Sequence, residues 1–153
     1  MKNAVQYQES ALFVGSFMPT LDAKRRIVFP AVWRSLVGEP GRLFAFPHPD
    51  EKCLHLYTER EMGRRLARLR EGGALDETDR RAIRSFAAGA EMLAWDAQGR
   101  VRIGEALLAH VEAKERLALV GMLTCVELWS AEHFDLALPA GSAKAEDAFF
   151  GGF

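Results

Sequence analysis

The chain says one thing twice. Leu21-Asp22-Ala23-Lys24-Arg25-Arg26-Ile27-Val28-Phe29-Pro30 is answered by Trp95-Asp96-Ala97-Gln98-Gly99-Arg100-Val101-Arg102-Ile103-Gly104, so Asp-x-x-x-Arg recurs at a fixed offset of 74 residues. Cys53-Leu54-His55-Leu56-Tyr57 is echoed by Cys125-Val126-Glu127-Leu128-Trp129 at an offset of 72, and each copy runs into a capping residue, Thr58 or Ser130. A repeat that preserves chemistry and order over this length means two structural copies of one module. Two copies give a pseudo-two-fold body with two basic loops, a shape suited to symmetric ligands such as duplex DNA.

The local signals give each module the same plan: strand, loop, strand, short helix, β-hairpin, helix. In the first copy, Leu12–Thr20 reads as a broken strand and Ile27–Phe29 as a short β-branched and aromatic strand. Pro30 stands where a helix begins, which predicts a helix over 31–37 ending at Gly38. Leu43–Phe46 and Cys53–Tyr57 form a strand pair across a Pro47–Asp50 turn. Thr58 followed by Glu61 has the spacing of a capping box, and Met62, Leu66 and Leu69 give that helix an apolar stripe up to Gly72-Gly73. A second helix is expected from Asp76, its N-cap, to Ala88, with Ile83, Phe86 and Ala87 inward. The second copy supplies a strand at 91–95, a loop at 96–100, a strand at 101–103 and a helix at 105–111. A strand pair at 116–120 and 125–129 and a helix at 130–137 complete it. Four short strands leave one sheet face uncovered, and two modules packed together share a core. The expected divisions are a flexible leader at 1–11, a first module with its helix at 12–75, a bridging helix at 76–89, a second module at 90–138 and a flexible tail at 139–153.

The hydrophobic fraction of 49% is ample for a core. No apolar run approaches bilayer-spanning length and the polar start lacks a secretory pattern, so the expected compartment is the cytoplasm. Cys53 and Cys125 sit in apolar strand segments and read as buried thiols, with a disulfide as the less favoured alternative. The net charge of −1 conceals an asymmetry: residues 1–103 carry 17 Lys+Arg against 13 Asp+Glu, and residues 104–153 carry 3 against 8. Binding phosphate needs a local positive face, so the total excludes little.

Enzymatic readings lack a constellation. His48, His55, His110 and His133 show no metal-ligand spacing with each other or with the cysteines, and there is no Gly-rich phosphate loop or nucleophile elbow. No cofactor, metal, membrane or small-molecule substrate is expected. Phe29, Trp33, Tyr57, Phe86, Trp95 and Trp129 fall on the apolar sides of their segments and are assigned to the core. Arginines on the bridging helices (Arg60, Arg64, Arg65, Arg68, Arg70, Arg80, Arg81, Arg84) are nearly balanced by interleaved acids, the pattern of a salt-bridged face or a subunit contact.

Phe13-Val14-Gly15, Thr20–Arg26, Pro30 and Arg34 resemble the opening of the MraZ family. Arg84–Ala90 leading into Asp96–Arg100, Val120-Gly121 and Glu127-Leu128-Trp129 resemble its later motifs, so the likeness spans residues 12 to 136. The resemblance implies an α+β fold with a mostly β core: two tandem AbrB-like swapped-hairpin modules forming a pseudo-two-fold barrel with peripheral helices. It implies a non-enzymatic, nucleoid-associated transcriptional regulator of bacterial cell division and cell-wall genes. Such a protein assembles as a ring-like homo-oligomer and binds short direct repeats in promoter DNA, with both basic loops on one side.

Lys24, Arg25, Arg26, Arg100 and Arg102 are the DNA-binding candidates, because an arginine fork pairs with phosphate or guanine. Two readings of Arg26 and Arg100 coexist: bracing the loop against Asp22 and Asp96, or facing DNA. Asp22 and Asp96 are structural loop partners. Arg34 reads as solvated. Three departures from the family pattern stand out. Arg25 replaces the usual glycine, which strains the backbone if φ is positive there and otherwise adds a cation. Gly104 replaces a frequent proline and weakens the helix start. The leader and the Phe149-Phe150-Gly151-Gly152-Phe153 end have no counterpart. The rival reading is an AbrB-like protein-interaction module, an antitoxin or scaffold, without sequence-specific DNA binding.

Overall fold

A computed structural model describes residues 12–137 and 143–151. The expected leader and the Pro139–Ser142 break lie outside the described residues. The chain runs β1 (Ser16–Phe17), β2 (Arg26–Val28), α1 (Ala31–Val37), β3 (Arg42–Pro47), β4 (Cys53–Tyr57), α2 (Glu59–Glu71), α3 (Glu77–Ala88), β5 (Glu91–Ala94), β6 (Arg100–Arg102), α4 (Glu105–His110), β7 (Leu117–Gly121), β8 (Val126–Ser130), α5 (Ala131–Ala137) and α6 (Ala143–Phe150).

The strands form a six-stranded sheet in the order β1-β7-β8-β4-β3-β5 and a separate two-stranded ribbon, β2-β6. Exchanging the modules (β1 with β5, β3 with β7, β4 with β8) reverses the six-strand order onto itself, so a pseudo-two-fold axis passes between β4 and β8. The first strand of each module pairs with the hairpin of the other: β1 lies on β7 and β5 lies on β3. Registers obey the same symmetry. Thr20 bridges Arg116, and their repeat mates Ala94 and Arg42 pair in turn. Phe44 pairs with Tyr57, and Ala118 with Trp129, the same pair displaced by 74 and 72 residues. This is the swapped-hairpin arrangement, and the fold is α+β with a mostly β core.

Alternation along the strands sorts the sheet's two faces. Inward go Leu43, Leu54, Leu56, Leu117, Leu119, Val126 and Leu128, which join Ile27 and Phe29 of the first module and Val101 and Ile103 of the second. Trp33 of α1 and its repeat mate Leu107 of α4 plug the same core, with Trp33 only 1% exposed. Phe13 and Phe17 meet Trp33 edge-on at 5.8 and 4.8 Å. Cys53, Ala118 and Trp129 face outward and are covered by Phe134 of α5.

Helix boundaries follow their caps. Thr58 accepts from Glu61 N at 3.0 Å, and Asp76 and Asp79 form a reciprocal capping box at the start of α3. On α2 the expected reciprocal glutamate instead turns away: the buried Glu61 carboxylate takes Arg64 and Arg65 at 3.1 Å each. α4 starts despite Gly104, whose φ of −64° matches the −56° of Pro30. Two expectations change. Phe86 is 48% exposed, and among the described residues α3 contributes none to the core, because it packs on the sheet's outer face against Phe46 of β3. Residues 143–150 form helix α6, where composition suggests only a loose tail.

Candidate nucleic-acid interface

Each Asp-x-x-x-Arg loop is built around its aspartate. Asp22 Oδ1 accepts from the backbone N–H groups of Lys24 and Arg26 at 2.8 Å, and Oδ2 accepts from Arg26 Nε at 2.9 Å. In the second loop, Asp96 Oδ1 accepts from Gln98 N and Arg100 N at 2.9 Å, and Oδ2 from Arg100 Nε at 2.8 Å. The backbone closes each loop identically: Asp22 N donates to Arg26 O, and Asp96 N to Arg100 O. Repetition in sequence is thus repetition in hydrogen bonds. A carboxylate that accepts backbone N–H groups is stabilised as the anion. Both aspartates accordingly titrate below the ordinary 3.8, chiefly through the Arg26 and Arg100 amides.

The loops feed directly into the ribbon. β2 and β6 run antiparallel with Arg26 opposite Arg102, Ile27 opposite Val101 and Val28 opposite Arg100. Ile27 and Val101 are buried, so Arg26, Val28, Arg100 and Arg102 share the outward face. Both readings of Arg26 and Arg100 therefore have a geometric basis. Nε is held by the aspartate, while the side chains keep 24% and 36% exposure. Lys24, Arg25 and Arg102 are exposed. The loops do not stand side by side. Ile103 N donates to Arg25 O and Phe29 N donates to Gly99 O, which sets the loops at opposite ends of the ribbon. Three strand residues lie between them, four steps along the strand or about 13 Å. The pseudo-two-fold axis through the Ile27–Val101 pair dictates this placement, and both loops frame one exposed ribbon face.

The repeat is broken at one telling position. Arg25 has φ +63° and Gly99 has φ +79°, so both occupy the left-handed region and the first loop carries a side chain there. A side chain in the second loop would also displace a neighbour. A Cβ on Gly99 would come 2.5 Å from Arg34 Cζ, because Arg34 lies over the loop with Nε donating to Phe29 O at 3.0 Å. Arg34 is therefore a brace rather than a solvated residue. Its repeat mate is Leu108, which leaves a shallow hollow that Arg25 lines with Glu105 and Glu112.

A second cluster lies on the sheet's outer face. The β4–β8 register sets His55 beside Glu127, and Cys53 lies two residues from His55 on the same side. One donor atom from each of these three residues lies within 4.8 Å of the other two. Burial pushes the thiols up, Cys53 to about 12 and Cys125 to about 11. The His55 ring, together with a bond from Trp129 Nε1 at 2.9 Å, holds the Glu127 carboxyl below its ordinary value. Spacing along the chain hides this group because its third member comes from the other module. Among the described residues no helix is long and apolar enough to cross a membrane.

Fold and ribbon together define a class: a tandem swapped-hairpin protein that displays a basic β-ribbon framed by paired Asp-x-x-x-Arg loops. Residues 86–145 match a family described as "MraZ protein, putative antitoxin-like". The chain is 35% identical over 121 residues to the transcriptional regulator MraZ of Arthrobacter sp. (strain FB24), covering 79% of this chain and 83% of that protein. It is 32% identical over 121 residues to the protein of that name from Paenarthrobacter aurescens (strain TC1), covering 79% and 82%. Its identity to the Marinobacter nauticus protein of that name is 31% over 137 residues, covering 88% and 91%. The chain belongs to the MraZ family.

Proposed function

We propose that the chain is a DNA-binding transcriptional regulator, and that the β2–β6 ribbon with its two loops is the surface that meets DNA. The observation that carries this reading is the shared outward face of Arg26, Arg100 and Arg102, framed by the Lys24–Arg25 loop at one end and the Gln98–Gly99 loop at the other. A two-stranded ribbon fits the B-DNA major groove, which is about 12 Å wide. Loops about 13 Å apart reach its two phosphate walls. Arg26 and Arg100 are tethered through Nε, so their terminal nitrogens are presented at reduced entropic cost. Val28, 55% exposed between the arginines, offers a surface for a thymine methyl.

One chain makes few contacts, so affinity comes from several copies on successive direct repeats. A ring-like homo-oligomer meets that need. Leu66, Leu69 and Phe86, exposed beside the groove of α2 and α3, supply apolar surface for a subunit contact. The relatives' name supports regulation of transcription, here through promoter repeats upstream of division and cell-wall genes, in the cytoplasm and on the nucleoid.

Fluorescence anisotropy with the DNA immediately upstream of the chain's own gene tests the reading. Tight binding to a probe carrying evenly spaced direct repeats is expected, with weaker binding when the repeats are scrambled. Equal affinity for both probes, or none, favours the protein-interaction module instead.

A further inference from the structure

The outer-face cluster has the ingredients of a coordination site joining the two modules. Cys53 and His55 alternate on β4 and so project from one face, and Glu127 on β8 is the direct cross-strand partner of His55. Their donor atoms lie within 4.8 Å of one another. A tetrahedral ion with bonds of about 2.0–2.3 Å needs donors roughly 3.3–3.8 Å apart, so side-chain adjustments of about an ångström close the site.

Two further observations point inward to an ion. His55 Nε2 is buried, and its close polar neighbour is Glu127 Oε2 at 3.1 Å, a contact that does not meet hydrogen-bond geometry. The other ends of both side chains are already fixed. Tyr57 Oη lies 2.9 Å from His55 Nδ1 and orients the ring; with Nδ1 donating to it, Nε2 carries the lone pair that an ion needs. Trp129 Nε1 donates to Glu127 Oε1, which leaves Oε2 for a ligand. Supporting bonds of this kind orient the ligands in metalloproteins. His55 also lines an open cavity of 330 Å³ with His48 and Tyr57, so one side of its ring borders solvent while Nε2 stays buried against Glu127.

We propose that Cys53, His55 and Glu127 bind a divalent transition metal, Zn2+ by its preference for sulfur, imidazole and carboxylate donors, and that the ion staples the first module to the second across the β4–β8 seam. Binding releases the Cys53 thiol proton to solvent and requires no redox partner. The plain alternative is a cross-strand His–Glu contact beside a core cysteine.

The test uses the full-length chain stripped of metal by chelator. Zn2+ is titrated against a chromophoric chelator and Co2+ is followed by absorption. One equivalent is expected, with a thiolate-to-cobalt charge-transfer band, and Zn2+ should raise the thermal midpoint. Glu127→Gln is isosteric and keeps the acceptor for Trp129, so it should fold with unchanged circular dichroism and elution volume. It should bind at least about tenfold more weakly. Cys53→Ser should lose the charge-transfer band. If Cys53→Ser does not fold, Glu127→Gln and His55→Gln decide the matter alone. No stoichiometric binding, a cobalt spectrum without the thiolate band, or equal affinity in Glu127→Gln and His55→Gln would overturn the proposal.

Discussion

Arg25 should hold stability and DNA affinity in opposition. Its φ of +63° places a Cβ-bearing residue in the left-handed region, where the repeat mate Gly99 sits at +79° without penalty. That conformation costs an ordinary residue roughly 1–2 kcal/mol. Replacing it with glycine returns about 0.4–1 kcal/mol to the unfolded chain as entropy. Arg25→Gly should therefore stabilise the fold by about 1 kcal/mol, a rise of about 2–4 °C in midpoint for a chain of this size. The same change removes one cation from the loop, so the salt-dependence slope of DNA binding should fall by about 0.9. Differential scanning calorimetry and anisotropy at several salt concentrations read the two effects separately. The mirror experiment sharpens the test. Gly99→Ala adds left-handed strain and brings a Cβ to 2.5 Å from the Arg34 guanidinium carbon, so the Arg34 side chain must shift. It should destabilise by about 1–2 kcal/mol. Arg25→Gly lowering the midpoint, or Gly99→Ala leaving it unchanged, would refute the reasoning.

Arg34→Ala should cost about 1–3 kcal/mol by thermal or urea unfolding, because the Phe29 carbonyl loses a charged donor. Trp33→Ala should cost about 3–5 kcal/mol, since its 1% exposed ring fills the core between α1 and the sheet. Asp22 and Asp96 titrate below 3.8 in the folded chain. Their contribution is therefore present above the unfolded value and lost as pH falls through the lowered folded value. In the Asp22→Asn, Asp96→Asn variant this part of the acid dependence should vanish from a pH series of unfolding midpoints.

Much of the architecture was legible because the repeat calibrates itself. The helix over 31–37, the cap at Asp76 and both loops emerge from turn and capping chemistry confined to a few neighbouring residues. Burial and partnership were less legible, because they depend on residues distant in sequence. Phe86 sits on the apolar stripe of α3, yet half its surface is open, since α3 packs on the sheet's outer face, away from the core. Arg34 looks like a surface residue until the other module's loop is folded beneath it. The same cause hid Cys53, His55 and Glu127, whose proximity exists only across the seam between modules. The loops' placement at opposite ends of the ribbon follows from antiparallel pairing about a two-fold axis, which the offset of 74 residues does not reveal.

The most direct measurement is the salt dependence of binding to the upstream DNA by the wild type and by the Arg26→Gln, Arg100→Gln, Arg102→Gln variant, with assembly state followed by light scattering. Binding should weaken strongly in the variant, and the slope should fall by up to about 0.9 for each cation lost per engaged chain. The oligomer should persist unchanged. Wild-type slope and affinity in a correctly assembled triple variant would mean that the ribbon is not the DNA-binding surface.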